Sequence, residues 1–581
     1  MFSHFYKAPN VSKFGAKNGN NSSFSRWLGL IALIAFGAMP ATAATYFSQG
    51  SAGFSVLSNW NTVSGGGGSN PVAGDLTSGT HTFVVQNGNV VTVDQNITVL
   101  GLTVGTTSPS TAGSLVVGNN NTGRTITVRG SVLVNALGSM TTDAVNLANH
   151  TLTIQPTTAG NSLTVDGVLN LMSATASSTS VTVTNQATPL VTGYTFNGAA
   201  SSANYQLGNL TVSPASSTMT LTLGAGIKFG ANVTLSANGS MNGGSFSHTL
   251  IGNWNQASAT AYTSTGTIEF AGTAAQVISN TPSSTSVNFN NIVVNNQNGI
   301  VLFTSPVNIL GNLSFTPGSG ATLQLSSGVA HTLSGNLSMD ATCYLNHTSG
   351  TITFNGSSAQ SIDLLNATLF NITFSNGGTL NPKTLVGNLT CNGVMTINST
   401  ASVVGNGDHT ISAGLTINGS YNLIGNAILC GGNVQSQNAT VNIGSANIIV
   451  QPNSPFGGGT VYFLPQSPST NFTFQANSNI TVNSGGQLVI NNNAFVTGQS
   501  GTVFSVNTGA NLYLRGANNF PTGFGDFFFG TGTTTVYDAG INQTITGGQS
   551  ASGANIEMNN LTLGGAGTTK TLASGNLRLT G

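Results

Sequence analysis

Eleven carboxylates are spread along 581 residues. Cleavage of a glycosidic bond needs two carboxyl groups at one point, and a lyase needs acidic calcium ligands beside Arg or Lys. Here Asp75, Asp94, Asp143, Asp166, Glu269, Asp340, Asp363, Asp408, Asp526, Asp538 and Glu557 occur singly, no two within three residues of each other. Asp340 and Asp363 are the best spaced to meet on successive coils of a repetitive fold. Two like charges so stacked are expected to splay into solvent, and neither catalytic, cofactor nor metal residues are assigned.

Six of the seven histidines precede Thr: His81, His150, His248, His331, His347 and His409. Without carboxylates or cysteines in company they lack a metal set. Recurrence at strand entrances points to a structural role beside turns. Cys343, Cys391 and Cys430 are too few and too far apart for a disulfide framework or a zinc site, and read as small buried hydrophobes, though pairing between chains stays open. Trp60 and Trp254 each precede Asn; stacking on sugars is one use for them, closing the end of a hydrophobic core the expected one. Thr-x-Thr pairs such as Thr125/Thr127, Thr151/Thr153, Thr182/Thr184 and Thr351/Thr353 would suit ice if they lay in register, but their uneven spacing argues against that.

The elements that must hold these residues are strands. Charged residues are only 4% of the chain against 39% hydrophobic, with 76 Gly and zero formal net charge. Such a chain folds rather than staying disordered, and its polar surface must be Thr, Ser, Asn and Gly. Neutrality gives no basic face for nucleic acid. Short alternating runs (Val90–Val93, Thr125–Val128, Leu221–Leu223) are bounded by Gly, Asn, Ser or Pro, and no helical period lasts beyond the export signal described below. The fold class is all-β.

Repeats sharpen this. The unit Gly266-Thr-Ile-Glu-Phe270 … Gln276-Val-Ile278, closing at Phe289 … Val294, returns as Gly350-Thr-Ile-Thr-Phe354 … Gln360-Ser-Ile362, and again as Gly532 … Gln543-Thr-Ile545. A shorter word, Gly-Asn-Leu, stands at Gly208, Gly311, Gly335, Gly387 and Gly575. A spacing in the low to middle twenties is one coil of a right-handed parallel β-helix, with Gly and Asn expected at left-handed corners and Leu inward. Some twenty-odd coils at about 4.8 Å each would give a rod on the order of 100 Å. Tandem β-sandwich repeats are the alternative.

Residues 1–43 read as an export signal: Lys7, Lys13, Lys17 and Arg26, an apolar run from Leu28 to Met39, then Ala41-Thr42-Ala43 as cleavage site. The run is too short to span a bilayer, so no transmembrane segment is expected after cleavage. Residues 44–105 read as an N-terminal capping region and 106–581 as the repetitive solenoid, which stops inside a repeat and reads as truncated.

The opening (Tyr46-Phe-Ser48, Trp60-Asn61, Pro71-x-x-Gly74-Asp75, Asn87-Gly88, Val91-Thr-Val93-Asp94) and the Gly-Thr-[Ile/Val]-x-Phe-x-Gly-x-x-x-Gln-x-Ile units resemble adhesin-like secreted repeat proteins of Gram-negative bacteria. That resemblance implies a filamentous body, a secreted or cell-surface location and, for many such proteins, export by the type IX route with a C-terminal sorting domain. No such domain is read in the final stretch from Thr571 to Gly581. The expectation is a non-enzymatic structural or adhesive protein in contact with glycans, cells or matrix. A polysaccharide-acting β-helix enzyme is the alternative and an ice-binding solenoid the third.

Overall fold

The computed structural model describes residues 42–581 except 107–110, 119–121, 144–147, 173–178, 186–190, 199–204, 216, 327, 366, 377–380, 437–439, 443–446, 452–459, 466–468, 476–477 and 574–575. The basic and apolar parts of the expected export signal, Ala41 and Gly575 therefore lie outside the described residues. Among those described, no helix is long and apolar enough to cross a membrane.

The chain winds into a three-sided parallel β-solenoid. One coil shows the plan: Gly101–Val104 forms the first face, Gly113–Val117 the second, Thr125–Val128 the third, and Val132–Val134 returns to the first. Each strand pairs in parallel with the strand one coil away, so Val132 lies on Leu102 and Thr151 on Thr125. Nearly all pairing is of this kind, which excludes tandem β-sandwiches, built from antiparallel sheets.

The third face holds 19 strands from Ile97–Val99 to Asp526–Phe529. It does not close on itself, because its first strand pairs only with Thr125–Val128 and its last only with Val503–Val506. Nineteen strands make 18 steps, or roughly 85 Å at about 4.8 Å per step. Strands of the first face are stacked beyond both ends of this sheet, and coil length is elastic. The stretch that carries the chain from Val450 to its stacking partner Val482 is far longer than the one from Ile411 to Leu429. The surplus sits in connections, outside the paired strands.

Alternation does the rest. In Thr125–Val128 and Thr351–Phe354 alike, every second side chain is buried and its neighbours stay partly exposed. One continuous core runs from Tyr46 to Met558, with Val, Leu, Ile and Phe of one coil lying on those of the next. Each fully buried aliphatic side chain contributes about 1.5–3 kcal/mol. No coil can bury its own interior, so the stacking is obligatory.

Residues 82–104 already belong to these ladders: Thr82–Val85 carries Gly101–Val104, and Val90–Val93 carries Gly113–Val117. What differs is 44–76, where Trp60–Asn61 runs antiparallel along the outer edge of Thr45–Ser48. Trp60 is fully buried there against Phe54 and Phe83. Trp254 is equally buried but sits mid-rod between Val233 and Ile278, so it closes no core end.

Leu323→Ala, which empties an inward position at mid-rod, is expected to cost about 2–5 kcal/mol in urea unfolding. Gln324→Ala, one residue on and facing out, should stay within about 0.5 kcal/mol. Equal effects would contradict the assigned register.

Candidate functional site

The repeated unit becomes intelligible at its glutamine. Gln276, Gln360 and Gln543 are buried, each at the start of a strand. The Gln276 Oε1 accepts the Gly272 N–H at 2.9 Å, and its Nε2 donates to the carbonyls of Leu250 (3.0 Å) and Gly252 (2.8 Å) on the coil below. Gln360 repeats this with the Gly356 N–H at 2.9 Å and the carbonyls of Leu333 (3.1 Å) and Gly335 (2.6 Å). Gln543 repeats it again with Ala539, Leu514 and Gly516. The shared geometry is a clamp across a corner, where the chain leaves the ladder and its backbone groups lose their partners.

The clamp does not keep to one face. Thr267–Phe270 and Gln276–Asn280 lie on the second and third faces, whereas their counterparts Thr351–Phe354 and Gln360–Asp363 lie on the first and second. From one copy to the next the unit has thus shifted by one face. It encodes strand, corner and strand, not a whole coil.

One coil further on, a second group closes the same corner. Lys383 stacks in register on Gln360, and its ammonium donates to the carbonyls of Gly356 and, at 3.4 Å, Ser358. Lys570 stacks on Gln543 and reaches the carbonyls of Ala539 (3.0 Å) and Ile541 (3.2 Å) as well as Gln543 Oε1 at 2.5 Å. Above Gln276 the amide of Asn296 takes this place, donating to Ala274 O and Gln276 Oε1. Lys383 is fully buried, and burial pushes its pKa down.

The Gly-Asn-Leu word has another purpose. Asn209 Oδ1 accepts the N–H of Asn232, Asn232 that of Asn253, and Asn253 that of Val277, at 3.0, 2.8 and 2.8 Å. Asn291, Asn312, Asn336 and Ser361 form the same chain at 2.8 Å per link. Left-handed corners at these asparagines are not found: among the described residues positive φ outside glycine occurs at Asn298, Asn376 and Asn493, and among the word's described glycines only at Gly387. The asparagine is needed as a side-chain acceptor, not for its backbone freedom. Gly335 is needed for space, since a Cβ there would lie 2.3 Å from the Gly311 carbonyl.

The six described histidines are buried. In four of them Nδ1 accepts the N–H of the residue beneath it on the preceding coil: Ala44 below His81 (3.0 Å), Arg124 below His150 (3.0 Å), Ile227 below His248 (3.2 Å) and Val307 below His331 (3.3 Å). His409 Nδ1 meets the Tyr421 hydroxyl at 2.9 Å. A ring whose lone pair is so engaged is a poor general base.

The carboxylates are dispersed in the same way. Ile362 lies on Leu337, which sets Asp363 above Ser338 rather than above Asp340, so the best-spaced pair does not stack. Asp340 holds its own turn through the N–H and hydroxyl of Thr342 and reaches the Gly318 N–H about one coil earlier, and these bonds lower its pKa. Asp94 accepts from Ser55, Glu269 from Thr249 and Asn295, and Asp408 from Asn426. Among the described residues no group of three or more His, Cys, Asp or Glu is placed to hold a metal. Cys343, Cys391 and Cys430 are buried and not joined in disulfides, and burial pushes the Cys391 thiol up to about 12. Both described tryptophan indoles are inside, bonded to Phe54 O and Gln256 Oε1, where no sugar reaches them. Five hollows along the rod are lined by neither Asp, Glu nor His.

What remains outside is a polar lattice. Thr98, Thr127, Thr153, Thr182, Thr211 and Thr234 stand in one register on six successive coils of the third face. Their separations along the chain are as uneven as the sequence indicated, wider from Thr98 to Thr127 than from Thr211 to Thr234. The connections absorb the difference and the register holds. A second rank, Thr332, Thr353, Thr373, Thr396 and Thr416, follows Asn308 on the first face. Comparison of the chain with protein-family models, with curated proteins and with solved structures finds no match.

Two outcomes follow from this geometry. Gln360→Leu keeps the volume but strands one N–H and two carbonyls, and is expected to cost at least about 3 kcal/mol in unfolding free energy. The second concerns pH: burial lowers His331 to about 3 and His347 and His409 to about 4. Their unfolded pKa is about 6.5, so below it the unfolded chain binds the protons first. Stability is full above pH 6.5 and is lost on acidification towards pH 4 to 3, by about 1.4 kcal/mol per pH unit for each of the deeply buried rings His331 and His409. Urea midpoints from pH 7 to 5 check this, and His409→Phe should flatten the slope by one ring's share.

Proposed function

We propose that this chain is the rod of an exported, non-enzymatic surface protein of the adhesin-like repeat type, making contact by repetition along its faces. The observation that carries this reading is the division of labour. Clamp glutamines, His81, His150, His248, His331 and His409, and carboxylates such as Asp94, Glu269, Asp340 and Asp408 are engaged in coil-to-coil and turn bonds, while the outward ranks are uncharged Thr and Asn. A neutral rank of hydroxyls and amides at about 4.8 Å intervals suits neutral, polyhydroxylated polymers, since many weak contacts add along a rod. The antiparallel strand Trp60–Asn61 fits a shield for the first coil's edge.

Frozen water is a second ordered ligand. The six-threonine register favours it, because a lattice can be matched only by residues that keep one spacing. Export is expected to deliver the chain outside the cell, with no nucleic-acid partner.

Full-length exported protein is expected to bind insoluble neutral polysaccharides, with at least tenfold weaker binding after Thr153→Lys and Thr182→Lys and no sugar release. Release of oligosaccharides that Asp340→Ala or Asp363→Ala abolished would overturn the reading in favour of an enzyme. Thermal hysteresis that the same threonine variants removed would select ice.

A further inference from the structure

Four histidines do the same thing, and one of them does more. His81, His150, His248 and His331 each accept the N–H of the residue beneath through Nδ1. Their other nitrogens differ. The Nε2 of His150 and of His331 has no hydrogen-bond partner, and that of His248 meets the Gly243 carbonyl at 2.9 Å. Of the four, only His81 sets Nε2 against a carboxylate, Asp75, at 3.3 Å. Asp75 is itself held by the Tyr46 hydroxyl at 2.8 Å and by the Val72 N–H at 3.0 Å. A relay of this kind, Asp to His to a nitrogen, suits a nitrogen that is positively charged. An ordinary amide N–H, which suffices below the other three, calls for no anion.

The residue below His81 is Ala44, the first after Ala41-Thr42-Ala43. It is pinned on its other side as well, for its carbonyl accepts the Thr82 N–H at 3.0 Å. Thr42 and Ala43 are exposed and outside any strand, whereas burial begins with Ala44 and Tyr46. The bond between Ala43 and Ala44 is thus accessible and sits where the ladder starts.

We propose that hydrolysis of the Ala43–Ala44 bond creates an N-terminal ammonium for which His81 and Asp75 form a built site. Water supplies the hydroxyl to the Ala43 carbonyl, which leaves as a carboxylate. The nitrogen of Ala44 is released as an amine and takes up a proton. An export-linked peptidase reading small residues at 41 and 43 is the catalyst, so the inference rests on the export reading above. The new ammonium donates to His81 Nδ1, His81 donates from Nε2 to Asp75, and the positive charge is paired through the ring with the carboxylate. Tyr46, Asp75 and His81 are the titratable groups facing it. Arg129, whose guanidinium lies beside Gly79, is turned to the Ser78 carbonyl at 3.4 Å. Processing would then fasten the first strand to the second coil rather than leave it fraying.

The test uses the full chain made in a secreting Gram-negative host. Intact mass and N-terminal sequencing are expected to place the start at Ala44. An amine-reactive acylating reagent, followed by peptide mapping, should label the Ala44 amine at least tenfold more slowly than in His81→Gln. His150→Gln, which removes the equivalent ring above an amide, should leave that rate unchanged. If His81→Gln does not fold, Asp75→Asn is the second variant, with labelling at least threefold faster than in the unaltered chain. A start at another residue, or equal labelling rates in all variants, would overturn the site while leaving export intact. A chain recovered uncleaved inside the cell would overturn the export reading and the site with it.

Discussion

The structure depends on what happens to backbone groups at the corners. Within a strand, each N–H and C=O finds a partner on the coil above or below without help from any side chain. At a corner the chain turns out of the ladder and those partners are lost, yet the neighbouring coil presses close enough to exclude water. Every unpaired group left there costs about 1–3 kcal/mol, and a rod of 18 steps has three corners at each. The sequence words that recur along this chain sit at corners for that reason.

Three solutions appear, and each joins one coil to the next. The glutamine clamp of Gln276, Gln360 and Gln543 reaches back to two carbonyls and holds one N–H of its own turn. The asparagine chain from Asn291 to Ser361 accepts one N–H per coil. Four of the histidines accept the N–H directly below them, with desolvation keeping the buried ring of His331 neutral at ordinary pH. In all three the bonded partner is about one coil away in sequence. The same bonds that satisfy the corner therefore fix the stacking register.

This explains what could be read in advance. Alternation in Thr125–Val128 and its kin follows from inward and outward pointing alone, so the all-β class and the coiled stacking were legible. The recurrence of Gln276 and Gln360 was visible, but its meaning was not, because the partner carbonyls of Leu250 and Leu333 carry no side-chain signature. Asparagine in Gly-Asn-Leu suggested a left-handed corner, the usual inference where Asn follows Gly. Its side chain is instead occupied by the next coil, which sequence spacing does not reveal. The threonine register was hidden for a related reason: connections of unequal length separate Thr98 from Thr234, and only the paired strands restore equal spacing. Asp340 and Asp363 failed to meet because a turn intervenes in one coil and a strand end in the other. The relay from Asp75 through His81 to Ala44 crosses from one coil to the one before it at a strand entrance, and escaped notice altogether.

The scarcity of charge follows from the same stacking. An outward residue has its counterparts about 4.8 Å above and below, and two like charges at that distance repel by about 0.9 kcal/mol even in water. A rank of six lysines would meet that repulsion at every step, whereas threonine and asparagine both donate and accept, so a rank of them is self-complementary. Asn308 bonds Asn288 at 2.8 Å and Thr332 bonds Asn308 at 3.0 Å in this manner. Charges survive mainly where the neighbouring coil answers them: Arg515 meets Asp538 at 3.2 Å, Glu557 meets Arg578 at 3.2 Å, and Lys383 and Lys570 end in carbonyl cups. A chain with 4% charged residues is thus what a long neutral ladder selects. The outward face it leaves, polar but uncharged and regularly spaced, is a consequence of how the rod holds together before it is a feature of anything the rod binds.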